Sequence, residues 1–289
     1  MRIAIIGAGG QFGSDLTKRL EGFDIAPLFH KDLDINDHKE TSRILFAVRP
    51  DIVINSSAYN LVDDSEEHPD LAFATNTMGV RNLAAICENI GATLVHISTD
   101  FVFDGRKGTP YKEDDTPNPV NLYGVSKLAG EYFVRNICTR YYIFRVASLF
   151  GITGSRGKGG NFVETMIRKG QFEDEVPVVS DLFMSPTYTW DAAGKVEEII
   201  KEKAPYGIYH LVNSGYCSWY EFAKAIFELA GKRCRIKPVA VSALGLKAKR
   251  PLFSALENEK LRSAGFMDMR GWHDALKDYL FAKGHISPQ

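Results

Sequence analysis

The sequence predicts an α/β fold in which a doubly wound parallel sheet is joined to a smaller C-terminal lobe. Short apolar runs alternate with helical patterns through the first half, a glycine-rich turn follows the first run, and the rhythm changes near Gly151. Strands that alternate with helices favour a parallel sheet covered on both faces. We therefore expect one domain over 1–150, to which part of 186–212 returns, and a second lobe formed mainly by 151–289.

The elements are predicted from the spacing of apolar residues and from helix-ending signals. Asp37 is a plausible N-cap, and Gly91 suits a helix C-terminus. In the first domain we predict strands at 3–6, 25–29, 52–54, 94–97 and 141–144, and helices at 12–20, 37–48, 69–89 and 123–137. In the second lobe we predict strands at 176–179 and 208–211, and helices at 190–201, 219–229 and 272–281.

Composition excludes several classes of function. The 289 residues are 45% hydrophobic, and 35 basic residues balance 36 acidic ones, so a basic surface for nucleic acid is not expected. No apolar run approaches the ~18 residues of a membrane span, and no signal peptide is recognised. The four cysteines are far apart in sequence, which predicts free thiols, a cytoplasmic location and no cysteine-based metal site.

The glycine-rich turn predicts a dinucleotide site in a Rossmann-like domain. Gly7, Gly10 and Gly13 lie between the first strand and the first helix, with Gln11 and Phe12 among them. The first glycine would allow the tight turn, the second the approach of a pyrophosphate, and the third close helix–sheet packing. The N-terminus of the helix would then offer free amides to the phosphates.

The end of the second strand bears on which dinucleotide binds. An acidic residue there usually holds the ribose of NAD, whereas a cation favours the 2′-phosphate of NADP. Lys31 precedes Asp34 and Ile35, which we place near the adenosine. The sequence thus favours NADP(H), with NAD(H) left open as a second cofactor and a solvated Lys31 as the alternative reading.

A tyrosine and a lysine four residues apart suggest proton transfer. Tyr123 and Lys127 would lie on one helix face, where a nearby ammonium lowers the pKa of a phenol. Two other pairs with this spacing, Tyr220 with Lys224 and Tyr279 with Lys283, lie in the second lobe on core-like helices. Position selects the first pair, because its helix follows the strand that ends in Ser98, Thr99 and Asp100.

Together these motifs resemble the extended short-chain dehydrogenase/reductases, and among them the dTDP-4-dehydrorhamnose reductases. The likeness covers nearly the whole chain. It is carried by the glycine turn and by the runs 55–58, 98–105, 123–131, 161–162, 185–187 and 250–256. It implies reduction of the C4 ketone of dTDP-4-dehydro-L-rhamnose to dTDP-L-rhamnose, with the nicotinamide as hydride source.

The resemblance also implies roles for individual residues. Thr99, Tyr123 and Lys127 would be catalytic, with Tyr123 as proton donor, and Ser57 and Ala58 would line the cofactor cleft. The implied substrate contacts are Val62, Thr99, Asp100, Phe101 and Asn161. Arg250 is a candidate for the substrate diphosphate, with a structural salt bridge as its alternative, and Arg156 and Lys158 could cover that diphosphate as a lid or simply form a solvated loop.

Some points stay open at this stage. The family often has tryptophan at the position of Ser148 and asparagine at that of Phe253, so the sugar is less secure than the reaction. An epimerase of the same fold and a regulatory subunit resembling that of methionine adenosyltransferase are the alternatives, while Phe101 stands where a dehydratase would have an acid. We predict no required metal ion and leave a homodimer open.

Overall fold

The structure is a computed structural model that describes residues 1–155, 157 and 159–287, so Arg156 and Lys158 lie outside the described residues. The strands are β1 Arg2–Ile6, β2 Asp24–Leu28, β3 Ile52–Asn55, β4 Thr93–Thr99, β5 Tyr141–Val146, β6 Leu149–Phe150, β7 Glu175–Val179, β8 Phe183–Met184, β9 Thr187–Tyr188, β10 Gly207–His210, β11 Cys217–Ser218 and β12 Arg235–Val239. The helices are α1 Gln11–Arg19, α2 His38–Val48, α3 Asp64–Glu67, α4 Pro69–Phe73, α5 Val80–Ile90, α6 Leu122–Ile137, α7 Phe162–Phe172, α8 Thr189–Lys201, α9 Trp219–Leu229, α10 Glu259–Ser263 and α11 Trp272–Ala282.

Six strands form one parallel sheet in the order β10-β5-β4-β3-β1-β2. The predicted α/β fold with a doubly wound sheet is confirmed. The chain leaves β1 for β2 on one side and returns to β3 on the other. This reversal opens a crevice beyond the carboxyl ends of β1 and β3, where ligands of such sheets bind.

Both faces of the central strands are largely apolar because β1, β3 and the middle of β4 consist mainly of buried aliphatic residues. On β4, for example, Leu94 packs with the α2 and α5 side chains, while Val95 packs with α1 and α8 on the opposite face. Burial on both faces is what a parallel sheet requires. The carboxyl end of the sheet is thereby held rigidly between two helical layers.

The later residues form a separate core around α7, α9 and α11. Aromatic and aliphatic side chains of β6, β7 and β9 fill this core, and β7 pairs with β12 outside the main sheet. It meets the first half of the chain through α1 and α8, where the Thr189 hydroxyl donates a hydrogen bond of 2.5 Å to Asp15. Arg19 lies 4.0 Å above the ring of Trp190 at the same junction.

The helix predicted over 69–89 is interrupted. A π-helical stretch, Ala74–Gly79, separates α4 from α5. The buried Asn76 amide donates to the Tyr59 carbonyl (2.9 Å) and to the Ser126 hydroxyl (3.0 Å), and its oxygen accepts from the Tyr59 amide (2.9 Å). These contacts tie the wider turn to α6 and to the loop after β3, which lines the crevice.

Among the described residues, no helix is both long and apolar enough to cross a membrane.

Candidate functional site

A cavity of about 800 Å³ opens at the carboxyl ends of the central strands. It gathers most of the residues selected from the sequence. These are Gly7, Gly10, Gln11, Phe12, Asp34, Ile35, Ser57, Ala58, Val62, Thr99, Asp100, Phe101, Tyr123, Lys127 and Asn161. Gly13, Lys31 and Arg250 are the three that do not line it.

The glycine turn brings the first helix against the sheet. Gly7 has a positive φ of 77°, a conformation that favours glycine. A side chain at Gly13 would overlap the Gly7 carbonyl oxygen, so this residue lets α1 pack directly on the turn. Gly13 therefore acts through packing behind the cavity wall.

The N-terminus of α1 fits a phosphate group. Its cap residue, Gly10, offers no side-chain hydrogen bond, and the first turn has no acidic residue. The Gln11 side-chain oxygen is buried and has no hydrogen-bond partner among the described residues. Open backbone amides and the helix dipole suit the pyrophosphate of a dinucleotide, whereas the Gln11 oxygen is an acceptor and would take a donor group instead.

The end of β2 forms the outer part of the cavity. Asp34 and Ile35 line it together with His30, and the Asp34 carboxylate accepts a hydrogen bond of 2.9 Å from the Asn36 amide. Lys31 is exposed beside this wall. Its side chain forms no part of the cavity surface.

Tyr123 is placed by the start of α6. The Asn121 side chain caps this helix by accepting from the Gly124 amide at 2.8 Å. A side chain at Gly124 would overlap the Phe101 carbonyl oxygen, so the helix lies directly against the loop after β4. The Tyr123 ring then meets Phe101 edge to face, with centroids 5.9 Å apart.

The pKa of Tyr123 is raised to about 12. Burial is the largest cause, a hydrogen bond with Thr99 acts in the opposite direction, and the charge of Asp100 adds to the rise. The sequence predicted a pKa lowered by Lys127, and this was wrong because loss of solvent outweighs the other influences on the phenol. The phenol is protonated at neutral pH and can serve as an acid.

Lys127 is almost fully buried, with 2% of its surface exposed. Its ammonium donates a hydrogen bond of 2.7 Å to the Ile97 carbonyl. Burial lowers its pKa to about 8, against an opposing effect of Glu131. Lys127 thus sits one helical turn below Tyr123, at the floor of the same cavity.

Thr99 and Asp100 are tied to each other and to the C-terminal part of the chain. The Thr99 hydroxyl donates to Asp100 (3.0 Å) and accepts from the Phe101 amide (3.2 Å). The Ser254 hydroxyl donates to the other Asp100 oxygen at 2.5 Å. The loop after β4 is therefore fixed in place beside Tyr123.

Two predicted substrate residues have structural partners. The Asn161 oxygen caps α7 by accepting from the Glu164 amide (3.0 Å), and its amide donates to the Gly151 carbonyl and the Tyr279 hydroxyl, both at 3.0 Å. The Arg250 guanidinium donates to Asp63 at 2.6 Å. This geometry favours the salt-bridge alternative for Arg250.

The cavity also has an aromatic wall that the motifs did not reveal. Phe150, Phe162, Trp219 and Phe222 line it from the second lobe. Phe162 meets Trp219 at 4.5 Å between ring centroids. The sequence places Trp219 only at the start of a predicted helix in the second lobe, and its distance in sequence from the glycine turn hides its place at the cavity. Ser148, with a positive φ of 44°, lies on the same side of the cavity.

The two other Tyr–Lys pairs lie away from the cavity lining. The Tyr279 hydroxyl is buried and donates to Glu164 at 2.6 Å. Lys224 lies near Glu228 on the surface of α9, at 3.7 Å. Among the described residues, no group of three histidine, cysteine or carboxylate side chains could hold a metal ion.

Comparison with known proteins extends the resemblance to the whole fold. Residues 1–283 match the family described as the RmlD substrate binding domain. The spore coat polysaccharide biosynthesis protein SpsK of Bacillus subtilis is 40% identical over 281 residues, which cover 96% of each chain. The dTDP-4-dehydrorhamnose reductase of Mycolicibacterium smegmatis is 37% identical over 285 residues, covering 97% of this chain and 85% of the relative.

A solved structure agrees at the level of the backbone. The crystal structure of dTDP-4-dehydrorhamnose reductase from Bacillus anthracis, in complex with NADP, superposes with a TM-score of 0.92 at 40% identity. The match covers 97% of this chain and 99% of that one. The chain therefore belongs to the RmlD substrate binding domain family, the family of the dTDP-4-dehydrorhamnose reductases.

Proposed function

We propose that this protein reduces the C4 ketone of dTDP-4-dehydro-L-rhamnose to dTDP-L-rhamnose with NADPH. One observation carries the proposal. The Thr99 and Tyr123 hydroxyls and the Lys127 ammonium share a cavity with the open N-terminus of α1. The proposed proton donor and the proposed dinucleotide site would thus face the same space, as a carbonyl reduction requires.

The residues divide the work of the reaction. The nicotinamide cofactor, when bound, supplies the hydride. Tyr123, protonated at neutral pH, donates its proton to the ketone oxygen as negative charge grows there. The Thr99 hydroxyl, which donates to Asp100 in the structure, would turn to donate a hydrogen bond to the same oxygen and stabilise it. Lys127 would hold the nicotinamide ribose.

The cofactor is proposed to lie along the glycine turn. Gly7, Gly10, Gln11 and Phe12 would contact the pyrophosphate, Asp34 and Ile35 the adenosine, and Ser57 and Ala58 the central part. The NADP complex of the Bacillus anthracis relative supports NADP(H), with NAD(H) as a second cofactor. Lys31 is proposed to pair with the 2′-phosphate from the rim.

The substrate is proposed to enter on the side of the second lobe. Val62, Asp100, Phe101 and Asn161 would contact the sugar nucleotide together with Thr99. For Asn161 the contact would come from its backbone, because its side chain is already engaged with Gly151 and Tyr279. A contact from Arg250 stays a prediction.

The function is tested by following the loss of NADPH absorbance with dTDP-4-dehydro-L-rhamnose. We expect turnover with one NADPH consumed per product formed. An epimerase would instead convert its substrate to the epimer with no net loss of NADPH. A UDP-4-keto sugar serves as the matched substrate control. Absence of turnover, together with a stoichiometric protein partner in pull-down, would favour the regulatory-subunit alternative instead.

Lys31→Ala tests the cofactor assignment in the same assay. Loss of one cation opposite a phosphate should raise the KM for NADPH by about tenfold and leave that for NADH unchanged. Lys39→Ala, an exposed lysine on α2, is the control. Equal effects on both cofactors would remove Lys31 from the 2′-phosphate site.

Three broader assignments complete the proposal. We propose a dinucleotide-binding domain over 1–150 that takes β10 from 186–212, and a mainly substrate-binding lobe over 151–289. The free thiols of Cys87, Cys138 and Cys217 support a reducing cytoplasm. A homodimer stays a prediction, and sedimentation equilibrium would test it.

A further inference from the structure

A buried polar layer lies beneath the proposed catalytic residues. Tyr123, Lys127 and Glu131 follow each other at four-residue intervals, so they share the face of α6 that packs on the sheet. The Arg145 guanidinium on β5 donates two hydrogen bonds to Glu131, at 3.0 and 2.7 Å. Both side chains are 1% exposed. The ion pair therefore lies one turn of helix below Lys127.

The strands hold this layer in a fixed register. Ser98 on β4 stands beside Arg145 on β5, and its hydroxyl donates to Glu131 at 2.5 Å. The neighbouring Ile97 carbonyl accepts from Lys127. The Glu131 carboxylate and the Lys127 ammonium are thus anchored to consecutive residues of one strand.

Stability alone is a weak reason for such a pair. Replacing a buried ion pair by apolar residues is often neutral or stabilising, because desolvation offsets the attraction. Here one guanidinium nitrogen of Arg145 also has no hydrogen-bond partner among the described residues. This ion pair leaves that buried nitrogen without a hydrogen bond in the described part of the chain, so a contribution to stability explains it poorly. Because it lies next to Lys127, we explain it by its electrostatic effect on the Lys127 ammonium.

Among the described residues, Glu131 is the carboxylate that acts electrostatically on Lys127, while Asp100, in the same cavity, acts on Tyr123. On β4, His96 stays neutral because burial, and to a lesser extent Lys127, hold its pKa well below the usual value. Tyr123 on α6 is neutral because its pKa is about 12. Arg145 is a cation bound to Glu131, so loss of that carboxylate would also leave an uncompensated positive charge in the layer beneath Lys127. Burial favours loss of the Lys127 proton, and the negative charge of Glu131 opposes that loss.

We propose that Glu131, held by Arg145 and Ser98, is a positioning residue that fixes the place and the charge of the Lys127 ammonium. The importance of Glu131 for turnover rests on the proposed function. The effect of Glu131 on Lys127 does not, because it is present in the protein without cofactor or substrate.

The first test titrates Lys127 in the cofactor-free protein. Lysines labelled with ¹³C at Cε are followed by NMR against pH, and the Lys127 signal is assigned by its loss in Lys127→Arg. We expect Glu131→Gln to lower the pH midpoint of this signal by about one unit. The matched control is Glu113→Gln, which removes a carboxylate bonded to the His210 and Lys260 amides instead. An unchanged midpoint in Glu131→Gln would overturn the proposal.

The second test measures kcat against pH. Activity should fall as Lys127 loses its proton, and in Glu131→Gln this fall should begin about one pH unit lower, while Glu113→Gln keeps the wild-type profile. If Glu131→Gln does not fold, Glu131→Asp keeps the charge but withdraws it by one methylene, and a smaller shift in the same direction is expected. A wild-type profile in the folded variant contradicts the proposal, whereas an inactive wild type contradicts only the proposed function.

Discussion

At the scale of single residues, the assignment of Tyr123 as proton donor makes a direct prediction. Tyr123→Phe removes the acid but keeps the ring that meets Phe101. We expect kcat to fall by about 10²–10⁴-fold, the usual contribution of a positioned acid, while NADPH still binds with near wild-type affinity. Steady-state kinetics and fluorescence titration would measure both. Tyr220→Phe, from a pair with the same spacing, should leave kcat unchanged. Full activity of Tyr123→Phe would exclude the phenol from the mechanism.

The buried Lys127 ammonium is predicted to lower the free energy of unfolding of the protein at neutral pH. Its folded-state pKa of about 8 lies below the ordinary 10.5, so between these values the folded chain binds fewer protons than the unfolded one. Stability from this group therefore rises with pH across that window, and at pH 7 the buried ammonium opposes folding by roughly 3 kcal/mol.

Lys127→Met should consequently be inactive but more stable than wild type at pH 7, by about 1 kcal/mol after loss of the bond to Ile97. Urea denaturation would measure this. Lys195→Met is the control, because its buried ammonium donates to Glu198 (2.5 Å) and the Met267 carbonyl (2.8 Å), and its loss should not stabilise. A destabilised Lys127→Met would contradict the account of the pKa.

The role of a residue could be predicted from the sequence when its partners lie nearby in the chain, and not when they are far away in the chain. The glycine turn and the Tyr123–Lys127 pair were selected by their place next to a strand, which is local information. Arg250 pairs with Asp63, 187 residues away, and no local pattern reveals that contact. The pKa of Tyr123 was mispredicted for a similar reason, because burial depends on the whole fold.

At the scale of elements, the strands and most helices could be predicted because the spacing of apolar residues and the capping residues indicate the same element bounds. Asp37 caps α2 as expected, accepting from the Glu40 amide at 3.0 Å. The π-helical stretch within 69–89 could not be predicted, because the buried Asn76 that stabilises it bonds to the separate elements bearing Tyr59 and Ser126. Periodicity describes one helix at a time and carries no information on such contacts.

The packing of α1 on the glycine turn predicts the effect of one methyl group. In Gly13→Ala the new Cβ would overlap the Gly7 carbonyl oxygen, so α1 must move away from β1. We expect a loss of about 1–3 kcal/mol in stability and roughly tenfold weaker NADPH binding, measured by thermal unfolding and by titration. Gly22→Ala, where no atom lies within 4 Å of the added Cβ, is the control. Wild-type NADPH binding in Gly13→Ala would contradict the proposal that the close packing of α1 on the glycine turn forms the cofactor site.

At the scale of the whole molecule, distant parts of the chain close the crevice. β10 completes the sheet from the far side, Ser254 fixes Asp100, and residues 247–250 lie over α3 beside the cavity. Asp63 accepts from the Ala248 amide (3.0 Å) and from Arg250 (2.6 Å). The alternation of strands and helices predicts the sheet but not these late contacts, since the segment that makes them has no periodic pattern.

The Arg250–Asp63 pair decides between two roles for this segment. If the arginine holds residues 247–250 in place, Arg250→Ala and Asp63→Ala should each reduce stability by about 1–2 kcal/mol and change the substrate KM by less than about twofold. The double variant should lose less than the sum of the two single losses, because both changes break the contact between Arg250 and Asp63. We expect this result, since neither guanidinium nor carboxylate lines the cavity. An increase of about tenfold in substrate KM for Arg250→Ala alone would instead identify the arginine as a diphosphate contact that turns into the cavity when substrate binds.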